Sequence, residues 1–285
     1  MTPAGRLAAF GAGLAVAVGL GAALGAAVGP DPAVRTAEEP APVGEGVVSA
    51  TDGYRLVPAV STLDPGGGPF RFVITGPGGA PQRAFTPVHE RRLHLILVDR
   101  ELTTFRHLHP RLGADGTWSV HLPPLAAGSY RAVADFQVAG GPRLALGTDV
   151  GVPGAYAPGR LTEPSSRASV DGYDVTLATR HRAGGEVTAA LTVSRDGRAV
   201  TDLEPYLGAG GHLVALRAGD LAYAHVHPLP GSRDRTGRGT VRFDATLASA
   251  GRYALFFAFK HAGTVHTATF TVDQGTVAGD AVMEH

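Results

Sequence analysis

Three histidines in one half of the chain, His94, His107 and His109, recur in the other half as His212, His225 and His227, with the interval from the first histidine to the His-x-His pair unchanged. An aromatic residue stands two places before each pair, Phe105 and Tyr223, and a proline follows each, Pro110 and Pro228. Neutral imidazole nitrogens held in register are a ligand set suited to a divalent transition-metal ion, Zn²⁺, Cu²⁺ or Ni²⁺. The chain has no cysteine, and its two methionines, Met1 and Met283, lie far from the motif, so thiolate sites and a methionine-lined Cu⁺ site are excluded. His261 and His266 flank the turn pair Ala262-Gly263 in the second half and have no counterpart in the first. A hairpin there sets His266 opposite Phe259, with His261 on the same face. The candidate metal ligands are therefore His212, His225, His227, His266, His261, His94, His107 and His109. We expect the stronger site in the second half, with His212, His225 and His227 as ligands and His266 available as a fourth. His89, His121, His181 and His285 have no repeat partner and read as surface residues.

The elements that position these rings follow from the duplication. Asp52-Gly53-Tyr54 returns as Asp171-Gly172-Tyr173, and Ala127-Gly128-Ser129-Tyr130 returns as Ala250-Gly251-Arg252-Tyr253, the change in offset being absorbed by the Arg- and Gly-rich loop 231–239. Each copy is a series of short alternating segments broken by Gly, Pro and Asp, which is an all-β pattern. In the second copy the expected strands are 173–179, 187–194, 212–217, 221–227, 240–245, 253–259 and 265–272. Seven strands in roughly a hundred residues fit an immunoglobulin-like sandwich, here without the cysteine pair and central tryptophan of antibody domains. Trp118 and its counterpart Val241 read as core packing. A two-residue turn at Gly219-Asp220 sets His212 opposite His227 and Val214 opposite His225; the same register in the first copy sets His94 opposite His109, with His107 one pleat away. That face also carries Ile96, Val98 and Phe105, or Val214, Leu216 and Tyr223, so the competing reading makes these rings hydrogen-bonded residues at the margin of an apolar core. Asp135 aligns with Ala258 and reads as a local hydrogen-bonding residue.

Composition sets the remaining bounds. The chain has 285 residues, 44% of them apolar, and a formal net charge of zero, so nothing electrostatic argues for nucleic acid. Residues 7 to 28 carry no charge and follow Arg6. At about 1.5 Å per residue they reach about 33 Å, enough for a transmembrane helix, whereas a signal-peptide core is about 7 to 15 residues. The expected plan is an anchor at 1–29, a Pro-rich spacer at 30–48, sandwiches at 49–153 and 165–273 joined by a linker at 154–164, and a tail at 274–285. Arg6 and the amino terminus place the sandwiches outside the cytoplasm. Cleavage near Ala27 and Gly29 is the alternative and would release a secreted form, though Pro30 disfavours it.

The aromatic-x-His-x-His-Pro run followed by a Gly-x-Tyr strand resembles secreted or membrane-anchored bacterial proteins akin to copper-resistance and heavy-metal-associated immunoglobulin-like domains. The resemblance implies extracytoplasmic metal handling and a partner in the envelope, such as a membrane metal transporter. The chain departs from the copper-resistance pattern in lacking methionine ligands and a free amino-terminal histidine. An enzyme is not expected. A cupin-like metalloenzyme needs a glutamate soon after His-x-His, and Leu112-Gly113-Ala114 and Pro230-Gly231-Ser232 stand there instead. No Ser/His/Asp arrangement, phosphate-binding Gly-rich loop or paired-carboxylate motif stands out, the glycines falling at turn spacing. A non-catalytic structural or interaction module is the other reading.

Overall fold

The computed structural model describes residues 44–229 and 239–275. The expected anchor, most of the expected spacer, most of the loop 231–239 and almost all of the tail, His285 included, lie outside the described residues. Among those described, no helix is long and apolar enough to cross a membrane.

The chain is all-β. The first repeat supplies β1 (Ala50–Thr51), β2 (Tyr54–Pro58), β3 (Gly68–Thr75), β4 (Phe85–Thr86), β5 (Leu93–Asp99), β6 (Phe105–Leu108), β7 (Arg111–Leu112), β8 (Thr117–Leu122), β9 (Gly128–Val138) and β10 (Arg143–Val152). The second supplies β11 (Arg167–Val170), β12 (Tyr173–His181), β13 (Glu186–Arg195), β14 (Arg198–Ala199), β15 (His212–Arg217), β16 (Tyr223–Pro228), β17 (Thr240–Thr246), β18 (Gly251–His261) and β19 (Thr264–Gln274). All seven segments read as strands from the second repeat are strands, each within a few residues of its expected ends.

In the first repeat, one sheet runs β1-β2-β3-β8-β7 and the other β10-β9-β5-β6, with β4 on β9. Alternate residues Phe70, Phe72 and Ile74 of β3 meet Leu93, Leu95 and Leu97 of β5 in one buried cluster, which also takes in Trp118. In the second repeat β11-β12-β13-β17-β16-β15-β18-β19 form one continuous path, because β16 pairs with β15 at its start and with β17 afterwards. Its two halves close on Val175, Leu191, Phe243, Phe257 and Phe259, with Val241 buried among them. In both repeats a tyrosine near the start of the long strand folds back on the preceding loop: Tyr130 donates to the Ala126 carbonyl and Tyr253 to the Ser249 carbonyl, each at 2.9 Å.

β5 is buried at every position. Its even-numbered side chains face a third cluster, built from Ile96, Val98, Val133 and Ala145 of the first repeat and Val214, Leu216, Tyr223, Ala254 and Phe256 of the second. Phe105 lies flat on Phe256, ring centres 4.0 Å apart and 6° from parallel. The histidine-bearing face is thus the margin of an apolar core, as its composition indicates, and that core lies between the two repeats.

Residues 44–48, expected as the end of the spacer, are part of this junction. The Gly46 amide donates to the Ala145 carbonyl at 2.9 Å, Gly147 to Val48 at 2.9 Å, and Tyr223 of the second repeat to Glu45 at 2.7 Å. The approach requires glycine, since a Cβ on Gly147 would stand 1.7 Å from the Gly46 oxygen.

Candidate metal centre

The expected hairpin registers form only near the turns, and neither reaches as far as the expected His94–His109 or His212–His227 pair. In the first repeat Leu95 faces Leu108 and Ile96 faces His107; in the second Ala215 faces Ala224 and Leu216 faces Tyr223. The two hairpins then part. β6 stays on β5 through Leu108, and only after Pro110 does β7 join β8 in the other sheet. β16 leaves β15 after Ala224 and pairs His225 with Thr246 and His227 with Asp244 of β17. His107 is therefore held on the sheet of His94, whereas the backbone of its counterpart His225 crosses to the opposite sheet. The expected pairing of His212 with His227 and of Val214 with His225 does not form, because the strand changes sheets first. The side chain of His225 is not among those described.

His212 meets the first repeat instead. His94, His107 and His212 bring ring nitrogens within 4.8 Å of one another. His94 and His212, equivalent residues of the two copies, stack 8° from parallel with centres 5.7 Å apart, and His107 lies 4.8 Å from His212 and 5.1 Å from His94. His109 packs on the same group, 5.2 Å from His94 and 4.9 Å from His107. His89, expected at the surface, is half-buried with its ring 5.5 Å from His212 and is the member of the cluster that the repeat could not reveal. His121 is exposed as expected; His181 is exposed and bonded to Gln274 at 2.9 Å.

The hydrogen bonds assign the tautomers. The Nε2 of His94 lies 2.9 Å from the Val88 carbonyl oxygen, which only accepts, so Nε2 carries the proton and Nδ1 presents its lone pair. That Nδ1 is 2.9 Å from Nε2 of His107. Ligands about 2.0–2.1 Å from an ion lie about 2.9 Å apart at right angles and about 3.3 Å apart in a tetrahedron, so this pair is already at ligand spacing. A backbone carbonyl gripping the remote nitrogen is the usual support for a metal-binding imidazole. Nδ1 of His107 and Nε2 of His109 are buried without a hydrogen-bond partner.

The surroundings keep the rings neutral. Burial, then neighbouring imidazoles, holds His107 and His212 well below the ordinary histidine value. Burial also lowers His94, opposed by Asp135 and the Val88 bond, and burial with His94 and Arg91 brings His109 to about 4. Asp135 sits opposite His94 on β9. Its buried carboxylate pairs with Arg143 at 3.2 Å and accepts from Tyr223 of the other repeat at 3.1 Å. Burial alone would raise Asp135; Arg143 and the hydrogen bonds outweigh it and keep it ionised. Its counterpart Ala258 faces His212, as the alignment of the repeats requires.

These depressed values make stability pH-dependent. The unfolded chain takes up protons near pH 6.5 while the folded cluster does not, so stability is full above that value and falls below it. The slope is about 1.4 kcal/mol per pH unit for each ring that stays neutral, and the His109 contribution is spent near pH 4. We expect the urea midpoint of the metal-free chain to drop steadily from pH 6.5 to 4, and less steeply in His107→Ala. Equal slopes in the two proteins would contradict this.

His261 and His266 lie elsewhere. His266 faces Phe259 across the β18–β19 hairpin as expected, but its Nδ1 bonds Asp171 at 2.8 Å. Both nitrogens of His261 are engaged, Nδ1 with the Tyr173 hydroxyl at 2.7 Å and Nε2 with Asp202 at 3.2 Å. These rings fasten the Asp171-Gly172-Tyr173 turn to the hairpin and do not join the group of three.

Residues 168–276, the second repeat, match the model of a domain of unknown function, DUF8832. No curated protein matches the chain. Among solved structures, Salmonella alpha-2-macroglobulin is 13% identical, with 85% of this chain and 16% of that one covered and a TM-score of 0.26. The Ig1-2 module of the Drosophila receptor protein tyrosine phosphatase DLAR is 9% identical, with 79% and 98% covered and a TM-score of 0.21. A putative membrane anchored protein from Corynebacterium diphtheriae is 8% identical, with 79% and 59% covered and a TM-score of 0.22. The all-β assignment rests on the strand pairing above.

Proposed function

We propose that this chain is an envelope protein that binds one divalent transition-metal ion, Zn²⁺, Cu²⁺ or Ni²⁺, through His94, His107 and His212, in metal handling or resistance. The observation that carries the reading is the convergence of three neutral ring nitrogens from both repeats, one of them oriented by the Val88 carbonyl. Three imidazoles would hold the ion and leave a further position open, where a partner's ligand or water completes the shell. His109 and His89 stand beside these three rings.

The same reading places the two domains as immunoglobulin-like sandwiches outside the cytoplasm, held by a helix over residues 7–28, with a membrane metal transporter as the kind of partner they serve. The tyrosine hydroxyls that fold back in both repeats support the immunoglobulin-like assignment. Catalysis is not part of the proposal. The test is elemental analysis of the full chain, purified without a histidine tag and dialysed after loading with Zn²⁺ or Cu²⁺. One ion per chain is expected, and retention of none would refute the function.

A further inference from the structure

The ligands are divided between the repeats, His94 and His107 on one and His212 on the other, and the repeats are separate sandwiches with separate cores. An ion bound to all three spans the junction. We infer that the metal ion acts as a latch between the two domains, so that binding the ion and docking the domains are one coupled equilibrium; this rests on the metal-binding function proposed above.

The junction has the make-up such a latch requires. Its apolar part is a continuous buried cluster in which Val214, Leu216 and Phe256 meet Ile96, Val98 and Val133. Direct polar ties across it include the Tyr223 hydroxyl to Asp135 at 3.1 Å, the Tyr223 amide to the Glu45 carbonyl at 2.7 Å, and the Arg100 guanidinium to the Gly219 carbonyl at 3.0 Å. His94 and His212 stand in the first two positions of the strands that carry this apolar face, so the ion would sit at one end of the junction. Separating the domains removes His212 from the other two ligands, and a two-imidazole remnant holds an ion far less well. Whatever loosens the apolar cluster must therefore weaken ion binding, and the ion must in turn narrow the range of domain positions, because such coupling is reciprocal.

The chain has no cysteine, so two can be introduced for spin labels without interference. We would place them at the exposed positions His121 and Arg180, one in each domain, and measure the label-to-label distance in the full chain with and without Zn²⁺. In parallel, Zn²⁺ affinity would be measured for the wild type and for Phe256→Ala, or for Phe105→Ala if the first fails to fold. The expected result is a distance distribution that narrows at one Zn²⁺ per chain, no narrowing in His212→Ala, and about a tenfold loss of affinity in the junction variant. Full Zn²⁺ occupancy with an unchanged distribution and unchanged affinity in the junction variant would overturn the latch and leave the metal-binding function standing. Failure of the wild type to bind Zn²⁺ would overturn both.

Discussion

Replacing His107 with alanine is expected to weaken Zn²⁺ or Cu²⁺ binding by more than about a hundredfold, beyond the 10- to 100-fold that loss of a supporting partner behind a ligand costs. His107 belongs to the first repeat and stands with His94 and with His212 of the second. His212→Ala, a change in the other domain, should therefore cause an equal loss. His227→Ala removes a ring carried by the strand that has moved onto β17, and should cost less than about tenfold. Calorimetric titration of the three variants separates the possibilities. If His227→Ala lost binding as fully as His107→Ala, the centre would lie within the second repeat and the shared arrangement would be wrong.

Asp135→Ala is expected to cost about 3–5 kcal/mol of stability, because it leaves the buried Arg143 cation without its carboxylate. Tyr223 loses its acceptor in the same step, so the damage reaches the junction between the domains. Replacing both partners with apolar residues, Asp135→Leu with Arg143→Met, should recover most of the loss, since it is the unpaired charge that is costly. Urea unfolding measures both. A loss below about 1 kcal/mol for Asp135→Ala would mean that water reaches Arg143 and that the pair is not sealed by the second domain.

Much of the architecture was legible in the residues. The strands of the second copy and the part of each hairpin register nearest the turn follow from period-two alternation and from the repeat itself, which are read along the chain. The partnership of His212 with His94 and His107 was not legible, because it depends on which faces of the two sandwiches meet. One signal did point there: Leu93 to Val98 is apolar on both faces apart from His94, and a strand of that kind is covered on both sides. The parting of β6 and β16 was hidden for another reason. The same His-x-His-Pro run is compatible with staying on one sheet or crossing to the next, and pairing with β17 is a long-range choice. His89 could not be found by repetition, since the second copy has Leu207 in its place.

The most direct test of the shared centre is X-ray absorption at the zinc edge of the full chain loaded with one Zn²⁺. The account predicts at least three imidazole nitrogens at about 2.0–2.1 Å in the wild type, and one fewer in each of His94→Ala, His107→Ala and His212→Ala. An oxygen-dominated shell with one imidazole or none, or a shell unchanged by His212→Ala, would contradict it.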